Sequence, residues 1–162
     1  MKTTLFLTMF FAVFAAAQPT QIAPEVAREV TRQLRALPNH GVFDNLNYIV
    51  DGAKVTLFGQ VANPDLKASA EKAVKRVAGV ASVDNQLRVL PGDVLDNDIR
   101  AGVYRRLVVA LQPGTAIHIV VDHQNVTLVG RAQTEGDKNL AVILAHAVPL
   151  VASVTNDLIV AG

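Results

Sequence analysis

Three kinds of side chain in this sequence could do chemistry, and the cations are the most organised. Arg28, Arg32 and Arg35 recur at helical spacing. Lys67, Lys72, Lys75 and Arg76 stud a later segment, and Arg100, Arg105 and Arg106 surround Tyr104. Such clusters hold anionic headgroups, at about 1 kcal/mol per Lys or Arg near a charged membrane surface. An adjacent aromatic suits the membrane interface. The competing reading is an ordinary solvated helix face, and Glu25, Glu29 and Glu71 partly neutralise the first two groups. The cluster at Arg100, Tyr104, Arg105 and Arg106 is therefore the candidate lipid contact.

The histidines are His40, His118, His123 and His146. No pair has the helical spacing of H-E-x-x-H, so no metal site is expected. Cysteine is absent, which removes thiolate chemistry and disulfides. There is no G-x-S-x-G, no Walker loop and no dinucleotide glycine pattern. Nothing assembles a nucleophile, a base and an oxyanion site, so the reading is a non-catalytic binding protein without a cofactor.

Certain elements must position the cations, and these are written twice. Val55-Thr56-Leu57 with Gly59 returns as Val126-Thr127-Leu128 with Gly130, 71 residues on. At the same shift Val80-Ala81-Ser82-Val83 returns as Val151-Ala152-Ser153-Val154. Asn85, Leu87 and Val89 meet Asn156, Leu158 and Val160. Upstream, EVAREVTRQL resembles DIRAGVYRRL at a shift of 73, so the connection after the first helix differs by two residues. Length changes in loops are cheap. Ser82 and Ser153 are repeated structural serines. At the first shift, His118 and His123 meet Asn47 and Gly52, neither suited to ligate a metal there.

Each unit reads as helix–strand–strand–helix–strand. Val26, Val30 and Leu34, then Ile99, Val103, Leu107 and Leu111, mark the first helices by period. Asp51-Gly52 signals a tight hairpin, and Asp122-His123-Gln124-Asn125 a looser one. Gly59 and Gly130 end the regular part of the second strand, at a bulge or against the next helix. Asn63 with Pro64, and Thr134 with Asp137, start the second helices. Pro91-Gly92 breaks the joint between units, and Asp96 or Asn97 caps the following helix. The fold class is α+β: two tandem small units, each a three-stranded sheet covered on one face by two helices, at 22–90 and 95–161.

Residues 1–17 read differently. Lys2, an apolar run from Leu5 to Phe14 and then Ala15-Ala16-Ala17 have the layout of a secretory signal peptide. A spanning helix needs about 20 apolar residues, and the run breaks at Gln18-Pro19. The mature chain is expected to be soluble and periplasmic. Loss of Lys2 takes the formal charge from +1 to neutral, which disfavours indiscriminate nucleic-acid binding.

The pattern Val55-Leu57-Gly59-Val61, a helix, then Gly79-Val80, Val83, Asn85, Leu87 and Val89 resembles the BON domain of bacterial periplasmic proteins. The second unit matches at Val126-Leu128-Gly130 and at Val151, Val154, Asn156, Leu158 and Val160. It departs at Ala132, where the first has Val61, and at Leu150, where the first has Gly79. Both departures are conservative in polarity, so they put helix-end geometry in question more than the fold. A signal peptide with tandem copies is similar to the soluble, OsmY-like members. The resemblance implies association with phospholipid or the envelope surface, without enzyme activity or a cofactor.

The second helices differ between units. Glu71, Lys72 and Arg76 correspond to Val142, Ile143 and Ala147 within the run LAVILAHAV. A helix apolar nearly all round is normally buried on both sides. This one is expected to pack against the first unit or a second protein, with Val142, Ile143 and Ala147 as interface. The alternative function is then a periplasmic protein-interaction or chaperone-like module.

Overall fold

The computed structural model describes residues 22–160. The expected signal peptide at 1–17 lies outside the described residues. The first unit comprises α1 (Ile22–Arg35), β1 (Asn45–Asp51), β2 (Lys54–Val61), α2 (Pro64–Val74), β3 (Ser82–Asn85) and β4 (Arg88–Val89). The second comprises α3 (Val94–Ala110), β5 (Ala116–Asp122), β6 (Asn125–Ala132), α4 (Glu135–His146) and β7 (Ser153–Val160). In each, the first two strands form an antiparallel hairpin and the third lane pairs parallel to the second. Parallel neighbours need a crossover, which α2 and α4 supply. The molecule is α+β, as two tandem units with a three-lane sheet each.

Alternation along the central strands decides which face is covered. Val55, Leu57 and Val61 of β2 are buried with Val26, Val30 and Leu34 of α1 and Leu66, Ala70 and Val74 of α2. Val126 and Leu128 of β6 are buried with Ile99, Val103 and Leu107 of α3 and Ala141 and Ala145 of α4. Apolar side chains at period two meet apolar stripes at helical period, so each unit closes its own core.

Several local expectations are corrected. Asp93, not Asp96 or Asn97, caps α3; its carboxylate accepts from Leu95 N at 2.7 Å. The second hairpin is as tight as the first, since Asp122 pairs with Asn125 as Asp51 pairs with Lys54. His123 and Gln124 adopt φ of 49° and 65° there. Their amides donate to Asp96, at 2.9 and 2.8 Å. Gly59 and Gly130 have φ of 112° and 127°. A Cβ at either would overlap a carbonyl oxygen of the adjacent strand, from Asn45 or Ala116, rather than a helix. Asn85 ties the third lane to α2, donating to the Lys67 carbonyl at 2.9 Å and to Glu71 at 3.1 Å. Asn156 accepts from Leu158 N at 3.2 Å, as Asn85 does from Leu87 N at 3.3 Å.

The α4 expectation changes most. This helix packs on α3, β6 and β7 of its own unit. Val142 is half-buried, Ile143 is 64% exposed and Ala147 is exposed, so they do not pack against the first unit. The contact between units is made instead by the connection after α1, the longer copy by two residues. Val42 and Phe43 from that loop pack on the core of the second unit, and Ile119 N donates to the Val42 carbonyl at 2.7 Å. Asp44 holds the loop in shape by accepting from Gly41 N and Ala62 N, both at 2.9 Å. Arg88 reaches Asp122 across the same junction at 2.8 Å.

Candidate functional site

Two of the three arginines of α1 are committed locally. Arg28 lies 4.0 Å from Glu25, and Arg32 lies 2.6 Å from Glu29. Hydrogen bonds from Gln33 and then Arg32 hold Glu29 below the usual carboxylate range. On α2, Lys75 meets Glu71 at 2.6 Å, and bonds from Lys75 and Asn85 lower Glu71 likewise.

α3 is built the other way round. Asp96 and Arg100 are buried, while Val94, Leu95, Tyr104, Val108 and Val109 are exposed. Arg100 does not belong to the outward cluster expected from its position. It is only 4% exposed and donates to the Val121 carbonyl and the Asn97 side chain, both at 2.6 Å. Burial pushes its guanidinium down from the usual range, against the opposing charges of Asp96, Asp122 and Asp44. Arginine stays protonated under such a load. Arg100 is therefore an internal tie between α3 and the end of β5.

Tyr104, Arg105 and Arg106 do stand outward. Among the described residues, neither Arg105 nor Arg106 has a carboxylate within 4.0 Å. Val109 follows at i+4 from Arg105 and i+3 from Arg106, so the three share a helix face. Tyr104 meets Phe43 edge-to-face, with centroids 6.0 Å apart.

Sequence reasoning missed Leu150, whose side chain joins this surface. Arg105, Arg106, Gly102 and Leu150 line one groove between α3 and the end of α4, with Asp98 at its edge. Leu150 takes φ of 70° where Gly79 takes 90°. The departure from the family pattern thus keeps the backbone conformation and adds an apolar side chain, 60% exposed. A leucine in left-handed backbone costs roughly 1–2 kcal/mol. The signal available in the sequence was a bulky residue where its repeat has glycine. Gly102 is a packing residue, because a Cβ there would lie 2.9 Å from Val148.

Among the described residues no cluster of three or more His, Asp or Glu side chains could hold a metal ion. No described helix is long and apolar enough to cross a membrane.

The family model for the BON domain matches twice, at residues 20–91 and 95–162. No curated protein matches the chain. Solved structures are similar too, among them two of one secretion-system protein. One is the C-terminal domain of CdsD, the structural protein of the type III secretion system of Chlamydia trachomatis. It has 11% identity and a TM-score of 0.36, over 85% of this chain and 98% of that one. A second structure of CdsD has 12% identity and a TM-score of 0.34, over 85% and 93%. BON domains are non-catalytic and associate with phospholipid or with the cell envelope. With two copies of the motif, each folded around its own core, this chain belongs to the BON-domain family as a tandem pair.

Proposed function

We propose that this chain is an exported, non-catalytic binding protein that docks on anionic phospholipid at the envelope surface through the outer face of α3. Residues 1–17 act as its signal peptide, and the two units, 22–90 and 95–161, form the mature periplasmic protein. The observation that carries the reading is the inverted polarity of α3. Tyr104, Val108, Val109 and Leu150 face outward beside Arg105 and Arg106, which have no carboxylate partner among the described residues. Apolar side chains entering the headgroup boundary, with cations among them, are the chemistry of an interfacial helix. The contact residues are Tyr104, Arg105 and Arg106, with Arg100 as a buried support.

Co-sedimentation of residues 18–162 with neutral and anionic liposomes tests this. Binding should require anionic lipid and weaken from low to physiological salt. Replacing Arg105 and Arg106 by alanine should weaken it by about 2 kcal/mol, roughly thirtyfold, at low salt. Replacing Arg28 and Arg32 should change little. Equal sedimentation with neutral liposomes, or none with either, would sink the proposal.

Exposure of Ile143 on α4, next to Val142 and Ala147, supports a second reading: a salt-resistant contact with a protein partner. In that case Ile143→Glu lowers the mass of the purified protein in solution or removes a partner, while liposome binding is unchanged.

A further inference from the structure

We propose that the outer face of α3 is a docking surface for a second copy of this chain, laid antiparallel about a two-fold axis between Ala101 and Gly102. Comparison with α1 shows why the face is open. At the shift of 73, Asp98 and Arg105 stand where α1 has Glu25 and Arg32. In α1 each of those is paired one turn away, Glu25 with Arg28 at 4.0 Å and Arg32 with Glu29 at 2.6 Å. Ala101 and Gly102 take the places of Arg28 and Glu29, so both local partners are gone. Among the described residues neither Asp98 nor Arg105 has an opposite charge within 4.0 Å. Seven positions separate them, about 10 Å along the helix.

Antiparallel docking of α3 on itself supplies both missing partners. It sets Asp98 of each copy over Arg105 of the other. The same register sets Val94 over Val109 and Leu95 over Val108. All four apolar side chains are exposed, Val94 at 72% and Val109 at 85%. Helical period puts Val94, Asp98, Ala101, Arg105 and Val108 on one stripe, opposite the buried stripe of Ile99, Val103 and Leu107. Small residues at the crossing point let two helices approach to about 8 Å, the near end of helix-packing distances.

Self-complementarity selects the occupant. A two-fold contact uses one patch twice, so that patch must fit itself. This stripe does so in charge and in apolar side chains together. The contact is one helix of 17 residues, about 25 Å long. It is smaller than a standard interface, so the dimer is weak, with dissociation in the micromolar range. The dimer stands apart from the membrane contact, but one consequence rests on that reading. Both uses take Arg105, so self-association withholds the chain from the membrane.

Sedimentation velocity of residues 18–162 without lipid, from micromolar to near-millimolar concentration, tests the contact. A reversible shift from monomer to dimer is expected. Asp98→Arg and Arg105→Asp should each weaken the dimer at least about tenfold, because each sets like charges together twice. Both side chains are exposed, so the melting temperature should hold. An equal mixture of the two variants should dimerise as the unchanged protein does, since one copy of each restores both ion pairs. Ile143→Glu on α4 should change nothing. A monomer at every concentration would overturn the proposal. So would a dimer that survives either charge reversal, a mixture that stays monomeric, or loss of the dimer in Ile143→Glu.

Ala101→Cys gives the chain its one cysteine. Mild oxidation should link two copies, and the linked dimer should lose the liposome binding that the reduced form keeps. No link in a chain that dimerises would overturn the register. Binding by the linked dimer would overturn its competition with the membrane. If the reduced form fails to bind as well, the membrane reading falls and the dimer is judged by sedimentation alone.

Discussion

α1 and α3 occupy the same place in two copies of one fold, yet they spend their polar residues differently. α1 keeps its arginines outward and pairs Arg28 and Arg32 with Glu25 and Glu29. α3 turns Asp96 and Arg100 inward and shows Tyr104, Val108 and Val109 to the outside. Arg100 stands where α1 has Ala27, and Gly102 where it has Glu29. The grooves beside these helices follow suit. Glu25, Glu29 and Arg76 line the first; in the second, Asp98 keeps the place of Glu25, but Gly102 replaces Glu29 and Arg105, Arg106 and Leu150 complete the lining. The fold needs only the stripe at Val26, Val30 and Leu34 or Ile99, Val103 and Leu107. Everything off that stripe can diverge, so one copy can serve as support while the other changes its surface.

The comparison breaks most readily at Asp96. Asp96→Ala removes two hydrogen bonds to the amides of the left-handed turn and one of the opposing charges that act on buried Arg100. A loss of about 3 kcal/mol is expected from such a buried site, read as a lower urea midpoint. An unchanged midpoint would mean that the inward charges of α3 do not hold the second unit together.

Exchanging the residues at the ends of the second helices should move stability in opposite directions. Leu150→Gly relieves left-handed strain and should gain about 1 kcal/mol, while Gly79→Leu should lose a similar amount. Thermal melts of both variants check this. Liposome binding of Leu150→Gly should fall even as its melting temperature rises. A leucine retained only for stability would give the reverse sign in the melt.

The smallest effect belongs to the junction. Burial works to raise the pKa of Asp122, but hydrogen bonds from Arg88 and His123 and their charges carry it below the usual carboxylate range. A depressed carboxylate contributes stability above its unfolded pKa and loses it as pH falls through the folded one. Asp122→Asn should therefore cost up to about 1 kcal/mol at neutral pH, the ordinary size for a partly exposed pair. The difference from the unchanged protein should close on acidification below about pH 4. A constant difference across the titration would show that Asp122 acts through its turn rather than its charge.

Much of this was legible in order. The repeated strands, the caps at Asn63 and Thr134 and the helical stripes are local signals, because periodicity and capping act within a few residues. Arg105, Arg106 and Tyr104 were also legible as an outward cluster. Arg100 was not, since its spacing suits either side of α3 and only the Val121 carbonyl at the end of β5 draws it inward. Leu150 was visible as a departure from Gly79, but its place beside Arg105 and Arg106 joins residues more than forty positions apart in the chain. The apolar run of α4 misled because composition alone cannot distinguish a second packing surface from an exposed apolar one. Ala141 and Ala145 seat the helix, and Ile143 is left outside.

The amino-acid order by itself determined the two units, their element sequence and the apolar stripes that close each core. These follow from residue periodicity and from turn and cap chemistry that needs no distant partner. Tertiary structure decided which arginine is buried, which loop joins the units and which side chains share the groove beside α3. Each of those outcomes is a competition for space and hydrogen bonds between segments far apart in sequence. A two-residue lengthening of the α1 connection, cheap as a loop change, became the bridge that sets Val42 and Phe43 against the second unit.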